Sequence, residues 1–529
     1  MTLNPIALGL PVPLLAAGAF SVPLLAHFIG ERRILIPLYS LAFSIAALIC
    51  SVLVLLDVAS SGPIVYAFGG WPPPIGIVYE ADMVSALLGF ITSLVMTCII
   101  AYSIWYPEID KPSYYYALVL GMEAGILGCM YTGDLFNFFV MLEVTSASAY
   151  ALVAFLRTRR SVVASAKYAF MGAVATTLYF LAVVLIYAAT GTVNTADASL
   201  RLHGHAGILG VRVFYADPIV AGTASLALAL WALCFKSAIF PNHFWLPDAH
   251  PEAPTPVSAA LSGLVVNVGV YGIARIFYTV AGPNSILGYE SSTLLLVLGI
   301  LGAVSAMVGS LAMIVQEDVK RLLAYSTIGH MGLVAMGLSL ASSLQASIAG
   351  VTASIYHLLN HSVGKALLFM ASGLLIEYAG SRRISDLRGL AYHDPVLAVL
   401  VVIGLLHLMG VPILGGFFSK LALFTAMVEA GYLWEAIILV VSSAIAAIAY
   451  MKLIVILFSR EGAKQVKSSS GRLRLVALVS MSILAALAIL LGVLSPLFTA
   501  LSRIGAQQMV IATSYQRAAL ATYTALVRG

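Results

Sequence analysis

Apolar residues fall along this chain in long blocks separated by short polar links, each block near the roughly 20 residues that a helix needs to cross a hydrocarbon core. Fourteen such blocks stand out, at 5–29, 34–57, 82–105, 113–131, 134–156, 163–189, 219–240, 256–280, 292–315, 322–342, 346–376, 394–427, 432–458 and 475–502. A backbone in lipid must satisfy its own hydrogen bonds, and segments of this length do so as helices. The pattern predicts an all-α polytopic membrane protein of about fourteen transmembrane helices. No basic stretch precedes the first block, which reads as a retained helix rather than a cleaved signal.

Two of the blocks are broken. The seventh runs from Ile219 to Lys236 and then dissolves into SAIFPNHFWLPDAHPEAPTP, where Pro241, Pro247, Pro251, Pro254 and Pro256 interrupt the helix pattern. The twelfth contains HLMGVPILGGFFSKLALF (407–424), in which Gly410, Pro412, Gly415 and Gly416 interrupt the apolar run just before Lys420. Lys236 and Lys420 are 184 positions and five spans apart, and the same offset carries Glu143 to position 327, close to His330. Each five-span unit, spans 4–8 and spans 9–13, thus has an ionisable residue in its second helix and a lysine at a broken fourth helix. Kinks are common in membrane helices, but breaks at matching places in two halves point to an internal repeat with a site at the breaks. The chain accordingly divides into residues 1–112 (three helices), 113–280 and 290–458 (the two five-helix units), and 459–529 (a basic loop, the last helix and a short tail).

Charge sharpens this picture. The chain is 61% hydrophobic and 9% charged, which excludes an ordinary soluble domain. With the N-terminus outside, sixteen basic residues fall in inward links: Arg32, Arg33, Lys111, Arg157, Arg159, Arg160, Lys320, Arg321, Arg382, Arg383, Arg388, Arg460, Lys464, Lys467, Arg472 and Arg474. Outward links and the tail hold only Arg201, Arg212, Arg503, Arg517 and Arg528. The positive-inside rule then sets both termini outside a cell membrane. Cys50, Cys98, Cys129 and Cys234 lie in apolar runs without CxxC spacing and read as small buried hydrophobes.

Six basic residues remain, all within spans: Lys167, Lys236, Arg275, Lys365, Lys420 and Lys452. Glu123 and Glu143 lie in spans too, as do His330, His357, His361 and His407, while Asp82, Asp134 and Asp217 stand near span ends, where a carboxylate caps a helix. For Lys167 and Arg275, nearer the ends, snorkelling competes with function, and Lys452 reads as an interfacial anchor. Glu123, Glu143, Lys236, Lys365 and Lys420 are too deep for that, and each charge at mid-membrane costs about 2.5 kcal/mol or more. Desolvation favours the neutral form of an amine and a carboxylic acid alike, whereas an opposite charge nearby favours the ionised form. A row of such groups, each switched by its neighbour or by water, is what a proton relay requires.

Several stretches now resemble a known family, the antiporter-like membrane subunits shared by respiratory complex I, membrane-bound hydrogenases and Mrp-type Na+/H+ antiporters. They are TGDLFNFFVMLEVTSASAYALVAF (132–155), KYAFMGAVATTLYFLAVVLIYAATGTVN (167–194), FKSAIFPNHFWLPDAHPEAPTPVSAALSGLVVNVGVYGIAR (235–275), EDVKRLLAYSTIGHMG (317–332) and HLLNHSVGKALLFMASG (357–373). The resemblance implies fourteen helices with two inverted five-helix repeats, and a proton path through Glu143, Lys236, His330, Lys365 and Lys420. Glu123, Asn267, His357, His361 and His407 are further candidates, as are His243 and His250 in the Pro-rich loop, where loop packing competes with a role at a proton inlet.

Two departures matter. Asn267 stands where the family commonly has a lysine in the eighth helix, so a water chain must cross there or the path runs elsewhere. Lys420 stands where the middle complex I subunit often has glutamate, which favours the Mrp D type, the hydrogenase type or another complex I paralogue. The tail of about 27 residues after the last span leaves no room for the lateral helix of the most distal complex I paralogue.

The resemblance further implies that the chain works beside other membrane subunits in a larger respiratory or antiporter complex. It moves H+, with Na+ exchange in an Mrp complex as the alternative, and does not engage nucleic acid. No quinone, nucleotide or iron–sulfur motif is present, so no cofactor is expected and redox chemistry falls to the partners. Three rival readings are haem ligation by His357 and His361 with His330 or His407, an organic-solute transporter, and a non-pumping scaffold, the last drawing on Asn267. One helix does not place two axial ligands on opposite faces of one haem, and the charged axis argues against the other two.

Overall fold

The computed structural model describes residues 5–211, 213–459 and 472–528 and is almost wholly helical. In chain order the long helices are α1 (Pro11–Ile29), α2 (Leu35–Ser61), α3 (Met83–Ser103), α4 (Pro112–Tyr131), α5 (Leu135–Val153), α6 (Arg159–Thr190), α7 (Pro218–Lys236) and α8 (Thr255–Val280). They continue with α9 (Gly288–Ile314), α10 (Val319–Leu338), α11 (Leu344–Ala379), α12 in two halves (Pro395–Met409 and Gly415–Glu429), α13 (Leu433–Leu457), α14 (Arg472–Val493), α15 (Ser495–Ile511) and α16 (Thr513–Arg528). The basic residues Arg212, Arg460, Lys464 and Lys467 lie outside the described residues.

Among the described residues, eleven helices are long and apolar enough to cross a membrane. The expected spans not among them are α4, α10 and the divided α12. Glu123 in α4 and Lys320, Arg321 and His330 in α10 dilute the apolar pattern, and α12 is cut into pieces of 15 residues each. Protein, not lipid, surrounds most of α4 and α10, whereas the two halves of α12 keep apolar side chains such as Val396, Val399 and Leu421 exposed. Central position shows in burial: the apolar windows of α8 and α11 are 100% and 94% buried, against 28% for α1 and 33% for α13. The centre of the molecule is therefore α8 and α11, with apolar faces of the outer helices turned away from it.

Close backbone approach fixes the second half. A Cβ on Gly309 of α9 would stand 2.5 Å from the Gly329 nitrogen of α10, and one on Gly302 would stand 2.8 Å from the Gly332 carbonyl. Small residues let these two helices touch along their length, which holds His330 in a fixed place. The aspartates expected at span ends do cap: Asp82 accepts from the Ser85 amide at 2.9 Å, Asp134 from that of Asn137 at 2.7 Å and Asp217 from that of Ile219 at 2.8 Å. Lys167 reaches the surface to meet Asp248 at 3.1 Å, as a snorkelling lysine would, and the exposed Lys452 donates to the Ile314 carbonyl at 3.2 Å.

Three features depart from the apolar pattern. An antiparallel hairpin, β1 (Ile64–Ala67) with β2 (Val78–Ala81), pairs Ile64 with Ala81 and Val65 with Glu80. A short helix, Thr195–Leu202, capped by Asn194, follows α6. The expected last span, 475–502, is not continuous: α14 stops at Val493, and α15, with a proline in its first turn, packs on α3, α8 and α11. The hairpin, the short helix and α16 cover one end of the bundle, where Tyr515 and Ala519 bury against Ala196 and Ile208.

Candidate functional site

Both predicted breaks are present, and each sets a lysine at a chain bend. Helix α7 ends at Lys236, and Ala238 takes φ 53° just beyond. The freed carbonyls are met locally, Phe235 by the Trp245 indole at 3.0 Å and Trp231 by the Asn242 amide at 3.3 Å. Trp245 in turn stacks flat on Tyr168 of α6 at 4.0 Å between ring centres. In α12 the chain turns through Gly410 at φ 89° and Ile413 at φ 81°, and the Met409 carbonyl is taken by Lys420 itself at 3.1 Å. The two breaks thus share a plan and differ in who satisfies the backbone.

In the first half, Lys236 is 2% exposed and donates to Ser146 Oγ at 2.6 Å and Tyr150 Oη at 3.3 Å, both on α5. Its ammonium also stands over the Tyr150 ring, 5.7 Å from the centre. Glu143 lies one helical turn from Ser146 on α5, within Coulombic range of Lys236, but the two do not form an ion pair among the described residues. Glu143 Oε1 is buried with no hydrogen-bond partner. Ser146 Oγ thus accepts from the ammonium and donates to the Leu142 carbonyl, one turn along α5 from Glu143.

The second half holds a continuous hydrogen-bonded row. Lys365, fully buried in α11, donates to the Leu323 carbonyl at 3.0 Å and to Ser326 Oγ. Ser326 bonds to the Tyr450 hydroxyl, which stands 3.5 Å from His330 Nε2. His330 Nδ1 meets His357 Nε2 at 3.0 Å, and His357 Nδ1 meets Ser419 Oγ at 3.0 Å, next in sequence to Lys420. A small cavity of about 10 Å³ is lined by Ser326, His330, Tyr450 and Lys420, room for about one water. Every interior member of the row is a hydroxyl or an imidazole, able both to give and to accept a proton. All four ring nitrogens of His330 and His357 are engaged with protein groups in this way.

Helix α8 runs between the halves. Its two π-helical turns, Leu261–Val265 and Arg275–Val280, flank Asn267, and turns of this kind recur at functional sites. Asn267 Nδ2 donates to Gly263 O at 2.9 Å and to Ser362 Oγ of α11 at 2.8 Å, while its Oδ1 is buried without a partner. Ser262 bonds Thr327 at 2.6 Å, and Thr327 shares the Leu323 carbonyl with Lys365. On the other side, a Cβ on Gly269 would stand 2.6 Å from the Leu233 carbonyl of α7, so α8 lies directly on the α7 break.

The remaining candidates divide. His361 packs 5.6 Å from the His330 ring with both nitrogens unpartnered. His407 Nε2 stands 2.9 Å from the Asn360 carbonyl oxygen, which only accepts, so that nitrogen carries the ring proton. His250 is fully buried, stacks on Phe369 of α11 at 4.8 Å and has both ring nitrogens free. His243 stacks on Phe240 at 5.5 Å. Glu123 is not joined to either network: its Oε1 accepts from Ser44 of α2 at 3.1 Å, and Ser44 bonds Thr97 of α3 at 3.0 Å. Arg275 does not snorkel. It is buried in α8 and pairs with Asp82 at 2.7 Å.

Sequence reasoning missed Ser146, Tyr150, Ser326, Ser419 and Tyr450, which link the titratable groups. Hydroxyls are ordinary in membrane helices; the spacing of Ser146 and Tyr150 from Glu143, along one face of α5, is the signal that would have found two of them.

Residues 132–446 match the family described as "NADH:quinone oxidoreductase/Mrp antiporter, TM". The chain is 34% identical over 423 residues to the N-type subunit of the NADH-quinone oxidoreductase of Desulforudis audaxviator, covering 79% of this chain and 80% of the relative. It is 31% identical over 401 residues to the D-type subunit of the Na(+)/H(+) antiporter of Alkalihalophilus pseudofirmus, covering 75% and 76%. Its fold matches a chain of the membrane-bound sulfane sulfur reductase, an archaeal respiratory membrane complex, with a TM-score of 0.84 and 29% identity over 99% of this chain and 100% of that one. With the matched region spanning both broken helices and every member of the row but Tyr450, this chain belongs to the NADH:quinone oxidoreductase/Mrp antiporter transmembrane family, as an antiporter-like multi-pass membrane subunit.

Proposed function

We propose that the chain translocates protons along a mid-membrane row, as one subunit of a larger respiratory or antiporter complex in the cell membrane. The observation that carries this reading is the unbroken run from Lys365 through Ser326, Tyr450, His330 and His357 to Ser419, beside Lys420. Glu143 and Lys236 form the loading end of the first half, with Ser146, bonded to Lys236, as the switch. Asn267 carries no charge and serves as a water-binding step between the halves, its free Oδ1 being the acceptor. His361, His407, His243 and His250 neighbour the row, the last two at an inlet, and Glu123 stands apart.

The same reading assigns fourteen spans, with α4 and α10 crossing inside the protein and the divided α12 crossing at its edge, and two inverted repeats, spans 4–8 and 9–13. It divides the chain at 1–112, 113–280, 290–458 and 459–529, and it sets both termini outside. Redox chemistry, where the complex has any, belongs to partner subunits. Exchange of Na+ for H+ is the second reading, favoured by the relative from the Na(+)/H(+) antiporter.

Glu143→Gln and Lys236→Ala should each abolish proton transport by the intact complex in proteoliposomes while assembly survives. Normal transport by both variants would refute the row. An imposed Na+ gradient that drives H+ movement through the wild-type complex would select the second reading.

A further inference from the structure

One face of α8 leads from Asn267 toward a polar knot that the translocation reading does not use. Asn267, Tyr271, Arg275 and Thr279 recur every four residues and so share one face of α8. The Tyr271 hydroxyl donates to the Met130 carbonyl at 2.9 Å and bonds Ser85 Oγ, also at 2.9 Å. Arg275 donates to Asp82 at 2.7 Å, to Tyr271 and Ser85 at 3.0 Å each, and to Thr279 at 3.2 Å. Its guanidinium lies over the ring of Tyr515, 4.8 Å from the centre. This end of the bundle, under the hairpin and α16, is the one that the positive-inside rule sets outward.

Glu80, on β2, is the unexplained group here. It is 0% exposed, packs against Gly133, and neither carboxylate oxygen has a hydrogen-bond partner; the Tyr515 hydroxyl and Asn194 Nδ2 are likewise buried and unpartnered. Asp82 already neutralises Arg275, and the buried Asp197 and Arg201 close on each other at 2.9 Å, so among the described residues no free cation faces Glu80 from α8 or from the short helix. Asp134 precedes α5 and adds no positive charge. A void of about 10 Å³, room for about one water, is lined by Thr132, Asp134, Thr195, Tyr271 and Arg275.

We propose that Glu80, flanked by Tyr515 and the Asp82–Arg275 pair, is a proton-holding site that ends an outward branch of the path along the Asn267–Tyr271–Arg275 face of α8. The inference rests on the translocation reading. Burial pushes the Glu80 carboxyl well above the ordinary carboxylate range, with Arg275 opposing, Asp82 reinforcing and the nearby Tyr515 hydroxyl opposing, a balance that favours the neutral acid. Release breaks the Glu80 O–H bond and passes the proton to outer water as Arg275 turns from Asp82 toward the new carboxylate. One proton arriving along the α8 face through water restores the acid, so one enters for each that leaves. The Tyr515 hydroxyl, itself buried, accepts and donates on the way from Glu80 to solution.

The test uses the assembled complex in proteoliposomes, with Glu80→Gln, Tyr515→Phe and Lys236→Ala. In the infrared difference between wild type and E80Q at neutral pH, a protonated-carboxyl C=O band belonging to Glu80 is expected; carboxylate bands in its place would overturn the proposal. E80Q should lower transport by about tenfold or more, and Y515F should lower it and shift its pH profile per assembled complex, which a merely structural hydroxyl would not do. Should E80Q fail to assemble, Y515F, lacking one hydroxyl, decides alone. Wild-type rates and profiles in E80Q and Y515F beside a dead K236A would sink this branch and leave the main path standing. A fully active K236A would instead remove the translocation reading itself.

Discussion

At the scale of single residues, the hydroxyls decide how the titratable groups communicate. Tyr450 joins Ser326 to His330, so one oxygen completes the path from Lys365 to the histidine pair. Tyr450→Phe keeps the ring and its packing but removes that oxygen. Loss of the hydroxyl should cost about 1 kcal/mol of stability, because Ser326 retains Lys365 as a partner. Proton transport should fall about tenfold or more, since proton transfer needs a group within hydrogen-bond reach at every step. Thermal unfolding of the purified complex and transport in proteoliposomes read the two effects separately; transport at the wild-type rate would mean that water, not Tyr450, bridges the gap. The charged members of the row were legible in the sequence because a charge in a membrane span is expensive and therefore conspicuous. The serines and tyrosines were not, because a hydroxyl in a helix can satisfy itself on its own backbone, as Ser146 also does on the Leu142 carbonyl at 2.5 Å.

At the scale of elements, apolar length identified helices well and their environment poorly. Blocks 82–105 and 432–458 correspond to α3 and α13, yet the first is mostly buried and the second mostly faces outward. Hydropathy does not separate these cases, because lipid and protein interior are similarly apolar. The hairpin was invisible for a different reason: strands of four residues each are too short to show a period, and Glu80 interrupts the one that is buried. The breaks in α7 and α12 were visible because proline and glycine mark them chemically. Backbone approach between α9 and α10 gives a prediction at this scale. Gly309→Val would drive a side chain into the Tyr325 carbonyl, 2.7 Å from the nearest Cβ position, and into the Gly329 amide. Neither backbone atom can yield without moving α10 and with it His330. We expect a loss of about 1–3 kcal/mol and a lower melting temperature, with transport impaired even in the fraction that assembles. Unchanged melting would show that α9 and α10 are free to separate.

At the scale of the whole molecule, the direction of every proposed proton step depends on which face is inward. The links that hold most basic residues, such as α11 to α12 with Arg382, Arg383 and Arg388, are expected inside. The link from α6 to α7, next to the hairpin and Glu80, is expected outside. The structure supplies exposed reporters on both: Ala206 in the α6–α7 link and Ser385 in the α11–α12 link. The native cysteines, Cys50, Cys98, Cys129 and Cys234, are all buried, so they contribute little background to thiol labelling. Ala206→Cys should therefore react with a membrane-impermeant maleimide on intact cells, and Ser385→Cys only after permeabilisation. Both substitutions lie at the surface and should alter stability by no more than about 0.5 kcal/mol, so loss of protein does not mimic protection. The reverse labelling pattern would invert the molecule. Glu80 and Tyr515 would then face inward, and the α8 branch would have to load protons rather than release them.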